Sequence, residues 1–169
     1  MHAPARPRVP RAAAAAALTA ATLLALQGCA LLGPEDAERD ADGVIVEEQD
    51  ADVFSIRIGD CLAPTGEESE LESVPVVPCS QEHESEVYAE VIVPDGEFPG
   101  NAAIEEAADA GCMEHFEDFV GIPYADSELM YSYFSPTEQS WEELDDRQVL
   151  CLVYGPEASS TGSFGGSET

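Results

Sequence analysis

The 169-residue chain contains no lysine, and all six of its basic residues are arginines. Arg6, Arg8 and Arg11 stand at the start, so beyond Cys29 only Arg39, Arg57 and Arg147 face 35 acidic side chains, a formal balance of −32. A field of that sign repels phosphate backbones and anionic headgroups, which argues against nucleic-acid binding and electrostatic membrane adhesion. Cations and basic proteins remain as partners, beside the plainer reading that the acidity only keeps the protein soluble. Gly-x-Ser-x-Gly, His-Glu-x-x-His and Cys-x2-Cys are all missing, so neither a hydrolase nucleophile nor a zinc-ligand pattern is visible.

One apolar run is present. Ala12 to Leu26 is uncharged and rich in Ala and Leu, follows the three arginines, and ends at Leu26-Gln27-Gly28-Cys29. Basic, then apolar, then small is the order of an export signal, and the run is shorter than the roughly 20 apolar residues a bilayer span needs. Leu-x-Gly-Cys resembles a bacterial lipobox, although Gln27 is bulkier than usual there. The expectation is a signal peptide over residues 1–28 and lipidation of Cys29, which makes the cell membrane's outer face the site of anchorage.

Residues 29–52 are dominated by Glu and Asp and read as a flexible acidic tether. Within them, Glu38 to Gln49 tracks a calcium loop, with Gly43 at the sixth position and Ile45 at the eighth. Glu38 and Gln49 at the first and twelfth positions, and flanks that are not helical, argue against that assignment. The folded domain is expected over residues 53–155, about 100 residues, enough for one modest core. Val53–Ile58 predicts a strand; Val74–Pro78, with two prolines, a segment at a sheet edge or a strand end; Val87–Val93 a stronger strand. From Asn101 to Val120 the period changes, with Ile104, Ala108, Cys112, Phe116 and Phe119 at helical spacing and Asn101 placed to cap the start. Leu129–Phe134 and Gln148–Tyr154 predict two more strands, the second nearly all apolar and so central. Residues 156–169, rich in Ser and Gly, read as a disordered tail.

With Cys29 assigned to lipid, Cys61, Cys79, Cys112 and Cys151 remain, an even set that implies two disulfides in an exported chain. Three connectivities are open; strand placement favours Cys61 with Cys79 and Cys112 with Cys151. Zinc is the weaker alternative. The fold class expected is α+β, a small antiparallel sheet with one main helix packed on it.

Several residues invite a chemical role. His83, near Glu82, Glu84 and Glu86, has the side chain suited to proton transfer or metal ligation, but no partner nucleophile is visible, and hydrogen bonding within its loop is the simpler reading. His115 lies beside the apolar stripe of the predicted helix. Arg147 is expected to pair with Asp60 or Asp146 and to stack its stem on Trp141, with an anionic ligand as the alternative. Trp141, Tyr131, Tyr133 and Tyr154 could form an aromatic patch, yet at strand spacing they are expected to pack.

Taken in order, Gly59-Asp60-Cys61, Val77-Pro78-Cys79-Ser80, His83, Glu86-Val87-Tyr88, Cys112, Trp141, Asp146-Arg147 and Cys151 resemble the actinobacterial septum formation family domain. After the tryptophan, where that family tends to have Gly-Asp-Arg, this chain has Leu144-Asp145-Asp146-Arg147, so the turn before the last strand is expected to differ. The resemblance implies a role around division or the cell envelope and brings no reaction, cofactor or catalytic residue with it. The function expected is a lipid-anchored, extracytoplasmic, non-enzymatic interaction module whose partner is an envelope protein. The alternatives are a weak divalent-cation-binding domain or an envelope enzyme using His83.

Overall fold

The computed structural model describes residues 35–64 and 72–169. The expected signal peptide, the expected lipidation at Cys29 and residues 29–34 of the expected tether lie outside the described residues. The strands are β1 (Gln49–Asp52), β2 (Cys61–Leu62), β3 (Ser73–Val77), β4 (Ser85–Ile92), β5 (Met130–Phe134) and β6 (Gln148–Tyr154). They form one curled antiparallel sheet in the order β1-β3-β2-β4-β6-β5. Helix α1 (Asn101–Val120) packs on it, and a short helix α2 (Glu138–Glu143) precedes β6. The α+β class expected from the sequence is the one formed.

β6 explains the layering. Val149, Cys151 and Val153 belong to the core beneath α1, whereas Leu150 and Leu152 belong to a second core on the opposite face. Side chains alternate along a strand, so five successive apolar residues require cover on both sides. On the first side, α1 presents Ile104, Ala108, Cys112, Phe116 and Val120, all buried. Gly111 permits the close approach: a Cβ there would fall 2.5 Å from Val91 Cγ2. A bulge in β4 inserts Tyr88 between the pairs Val87↔Leu152 and Ala89↔Cys151. Tyr88 and Ala89 therefore both face α1, while Val87 stays with the second core.

Cover for the second face comes from the segment expected to be a tether. Ile45 and Ala51 are buried there with Ile56, Leu62, Val74 and Val76, and Ala37 and Val53 pack at the margin. Residues 35–52 are thus part of the domain, and β1 pairs with β3 along its length. The expected strand over Val53–Ile58 is replaced by a 3-10 turn at Val53–Ser55, started by the Asp52 carboxylate accepting the Phe54 N–H at 2.8 Å. β3 is an inner strand rather than an edge. It tolerates Pro75 because the carbonyl of that residue faces the end of β2, where it accepts the Ala63 N–H at 3.0 Å, so the missing donor falls where the neighbouring strand stops.

The tail is also folded. His83 and Ser160 exchange backbone hydrogen bonds at 2.9 and 2.8 Å, Gly166 and Glu168 donate to the carbonyls of Phe119 and Val120, and Phe164 enters the core under α1. Its Ser and Gly composition conceals a single aromatic anchor and a set of main-chain bonds that leave no mark on the sequence. At the helix start, Gly100 is the cap residue, not Asn101; its φ of +89° is open mainly to glycine.

Cys61–Cys79 and Cys112–Cys151 are both bonded. The first joins β2 to the end of β3, and the second ties α1 to β6. They close loops of 18 and 39 residues, worth about 3 and about 4 kcal/mol by loop entropy. Replacing Cys112 and Cys151 together by Ala should therefore lower the unfolding free energy by about 4 kcal/mol, more than the Cys61/Cys79 pair at about 3 kcal/mol. Urea denaturation without reductant measures the order, and equal losses would show that loop length is not the controlling quantity.

Candidate functional site

His83 and Glu86 flank the start of β4, and both are sealed by the tail. The His83 ring is fully buried, with Nδ1 2.9 Å from the Gln81 carbonyl and the Phe164 ring edge-on at 5.7 Å. A carbonyl can only accept, so Nδ1 carries the proton, and Nε2 is left buried without a hydrogen-bond partner. Glu86 is 3 % exposed, and its two oxygens accept from the Ser163 hydroxyl at 2.8 Å and the Phe164 N–H at 2.7 Å. The pair that an acid–base site would need is thus divided between two structural tasks.

Asp60 lies in the turn before β2, and its partner is Arg39, not the expected Arg147. The guanidinium of Arg39 makes a two-pronged bond to the carboxylate, Nη2 to Oδ2 at 2.6 Å with Nη1 to Oδ1 beside it, and donates from Nη2 to the Ser55 carbonyl. Oδ2 also accepts the Arg57 N–H at 2.8 Å. The side chains are 9 and 3 % exposed, so the Asp60 hydrogen bond raises the Arg39 pKa further, against an opposing effect of burial. Parallel fork-to-carboxylate geometry of this kind is the strong form of ion pair. Sequence reading missed Arg39 because its partner lies 21 residues away.

Arg147 stacks on Trp141, its guanidinium carbon 3.7 Å from the ring centroid, as expected from their nearness in the sequence. Its carboxylate partners are Asp95 and Asp145, both exposed, and it donates to the carbonyls of Trp141 and Asp146. The Asp146 carboxylate does not pair with Arg147; it accepts from the Ser140 hydroxyl at 2.9 Å and from the Gln148 backbone N–H at 3.0 Å. Trp141 is buried and donates its ring N–H to the Gly96 carbonyl. The departure from Gly-Asp-Arg has a local form: Asp145 adopts a φ of +57°, the left-handed region that glycine would enter freely.

The remaining candidates divide between core and surface. Tyr88 donates to the Cys112 carbonyl at 2.7 Å, and burial raises its pKa strongly. Tyr131 packs edge-on to Tyr124, so the tyrosines of β5 partly serve the core. His115 borders a shallow hollow of about 270 Å³ with Ile58, Glu90 and Phe119, and Tyr154 borders one of about 300 Å³ with Leu62, Glu84 and Phe134. In the calcium-like loop, Asp40 uses one oxygen to accept the N–H groups of Asp42 and Val44, and Arg39 is committed to Asp60. Glu86 also lies near the sulfurs of Cys61 and Cys79, but these are bonded to each other and offer no thiolate.

A family model described as septum formation matches residues 26–151. The chain belongs to the septum formation family. No curated protein and no solved structure matches. The match takes in residues 35–52, in keeping with their place in the core, and ends before the tail that covers Glu86. Two disulfides mark this septum formation domain as extracytoplasmic. No helix among the described residues is long and apolar enough to cross a membrane.

Two measurements check these assignments. Arg39→Ala strands a buried carboxylate and should cost about 3 to 5 kcal/mol in denaturant unfolding, against less than about 1 kcal/mol for an exposed pair; a loss in the smaller range would show that water reaches Asp60. The Asp95 carboxyl is held below its ordinary value, first by its hydrogen bond from Arg147 and then by the Gly96 N–H. A depressed carboxyl pKa adds stability above the unfolded value near about 4, and this is lost as pH falls through the lower folded value. In a carbon-detected titration, Arg147→Gln should move Asp95 upward; an unchanged midpoint would assign the depression to other groups.

Proposed function

We propose that the protein is a lipid-anchored, non-enzymatic interaction module of the cell envelope, serving septum formation from the outer face of the membrane. The observation that carries this reading is the commitment to the fold of His83, Glu86, Asp60 and the described cysteines; the other described histidine, His115, is exposed on the helix surface. His83 is buried, Glu86 is held by the tail, Asp60 by Arg39, and the four described cysteines are in disulfides. A general acid or base needs reach to a substrate proton, and a nucleophile needs a free thiolate or an activated hydroxyl. Such a domain acts through its surface.

The anchor follows from Leu26-Gln27-Gly28-Cys29. Two acyl chains on Cys29, at about 0.8 kcal/mol per buried methylene, hold a protein stably where a single chain does not. The acidic surface then repels anionic headgroups and leaves the domain free to meet proteins. Cells fed an alkyne-tagged fatty acid should label the wild-type chain and not Cys29→Ala. Cross-linking in intact cells, read by mass spectrometry, should return a reproducible envelope protein as neighbour. Absence of label removes the anchor, and absence of any protein neighbour removes the interaction role.

A further inference from the structure

β1 and β5 are the two edges of the sheet, and they differ in charge. β1 reads Gln49-Asp50-Ala51-Asp52, with two carboxylates in four residues, an arrangement that discourages pairing with another chain. β5 reads Met130-Tyr131-Ser132-Tyr133-Phe134, without charge or proline, in a chain with 35 acidic residues. The phase of its backbone follows from the neighbouring ladder. Val93 N–H donates to the Arg147 carbonyl at 2.8 Å, so Val149 and Cys151 direct their peptide groups at β4, and Leu150 and Leu152 direct theirs at β5. Opposite those two, Phe134 and Ser132 bond to β6, which leaves the peptide groups of Tyr131 and Tyr133 aimed outward, without a partner among the described residues.

The two flanks of this edge are chemically distinct. On the α1 side, the Tyr131 hydroxyl meets Asp109 at 3.3 Å, and the charges of Asp109 and Glu105 both act on the Tyr133 phenol. Both carboxylates are exposed. On the other side, Ser132 and Phe134 line the hollow of about 300 Å³ with Leu62, Leu152 and Tyr154, and the exposed Glu84 adds a carboxylate to its lining. We infer that β5 is a docking edge for an extended segment of an envelope protein in which basic and apolar residues alternate, added to the sheet as a further strand. Its Lys or Arg side chains would lie over Tyr131 and Tyr133 toward Glu105 and Asp109, and its apolar side chains would enter the hollow. A second copy of the chain is a poor occupant, because it brings the same carboxylates and the same negative field.

This assignment rests on the interaction-module reading and is tested apart from it. The probe is a synthetic peptide of alternating Lys and Val, with two controls, an alternating Glu and Val peptide and a Lys and Val peptide of the same composition in blocks. Hydrogen exchange of the full chain in detergent micelles should show the amides of Tyr131 and Tyr133 slowed about tenfold by the alternating basic peptide alone. Charge reversal by Glu105→Lys with Asp109→Lys, or filling the hollow by Ser132→Lys, should weaken binding about tenfold, whereas Asp50→Lys at the opposite edge should leave it unchanged. Equal protection by the block peptide, protection away from β5, or undiminished binding to the two β5-side variants would overturn the proposal. An envelope neighbour found by cross-linking together with an unprotected edge rejects this edge and keeps the module; a protected edge with no neighbour does the reverse.

Discussion

Five consecutive buried residues from Val149 to Val153 oblige the sheet to be covered twice, and much of the rest of the structure answers that requirement. One cover is the amphipathic α1, pinned to the strand through Cys112 and Cys151. The other is the irregular segment before β2, which supplies only a few apolar side chains, Ile45, Ala51 and Ile56 among them. Such thin cover needs to be held in place. The Arg39–Asp60 pair does so, joining the segment to the turn that precedes Cys61 and so to the first disulfide.

The scarcity of positive charge then acquires a structural meaning. Of the three arginines beyond Cys29, Arg39 is committed to a buried carboxylate and Arg147 to the indole of Trp141 and its acidic neighbours, which leaves Arg57 exposed. Two cations act as internal fasteners, and the described surface they leave is overwhelmingly negative. That surface disfavours anionic ligands and self-association alike, while attracting basic partners through long-range steering. An uncharged edge strand set against such a background is the natural place for a specific main-chain contact.

Oxidation fits this economy. A small extracytoplasmic domain with a divided core gains stability from cross-links that a reducing compartment would not preserve. The tail adds a third fastening by placing Phe164 under α1 and by bonding the Glu86 carboxylate that it covers. The family match covers residues 26–151, so this last fastening lies beyond the matched part of the chain.

What the residues alone determined were the features carried by local period and by cysteine count. α1, β4, β5 and β6, the α+β class, the even set of four cysteines and the stacking of Arg147 on Trp141 all rest on spacing or on the chemistry of near neighbours. Tertiary structure alone decided the partner of Asp60, the inner position of β3 despite Pro75, and the inclusion of residues 35–52 and 156–169 in the domain. These last depend on contacts between distant positions and on backbone hydrogen bonds. An acidic or Ser- and Gly-rich stretch can make such bonds as well as any other, and its side chains give no sign of it.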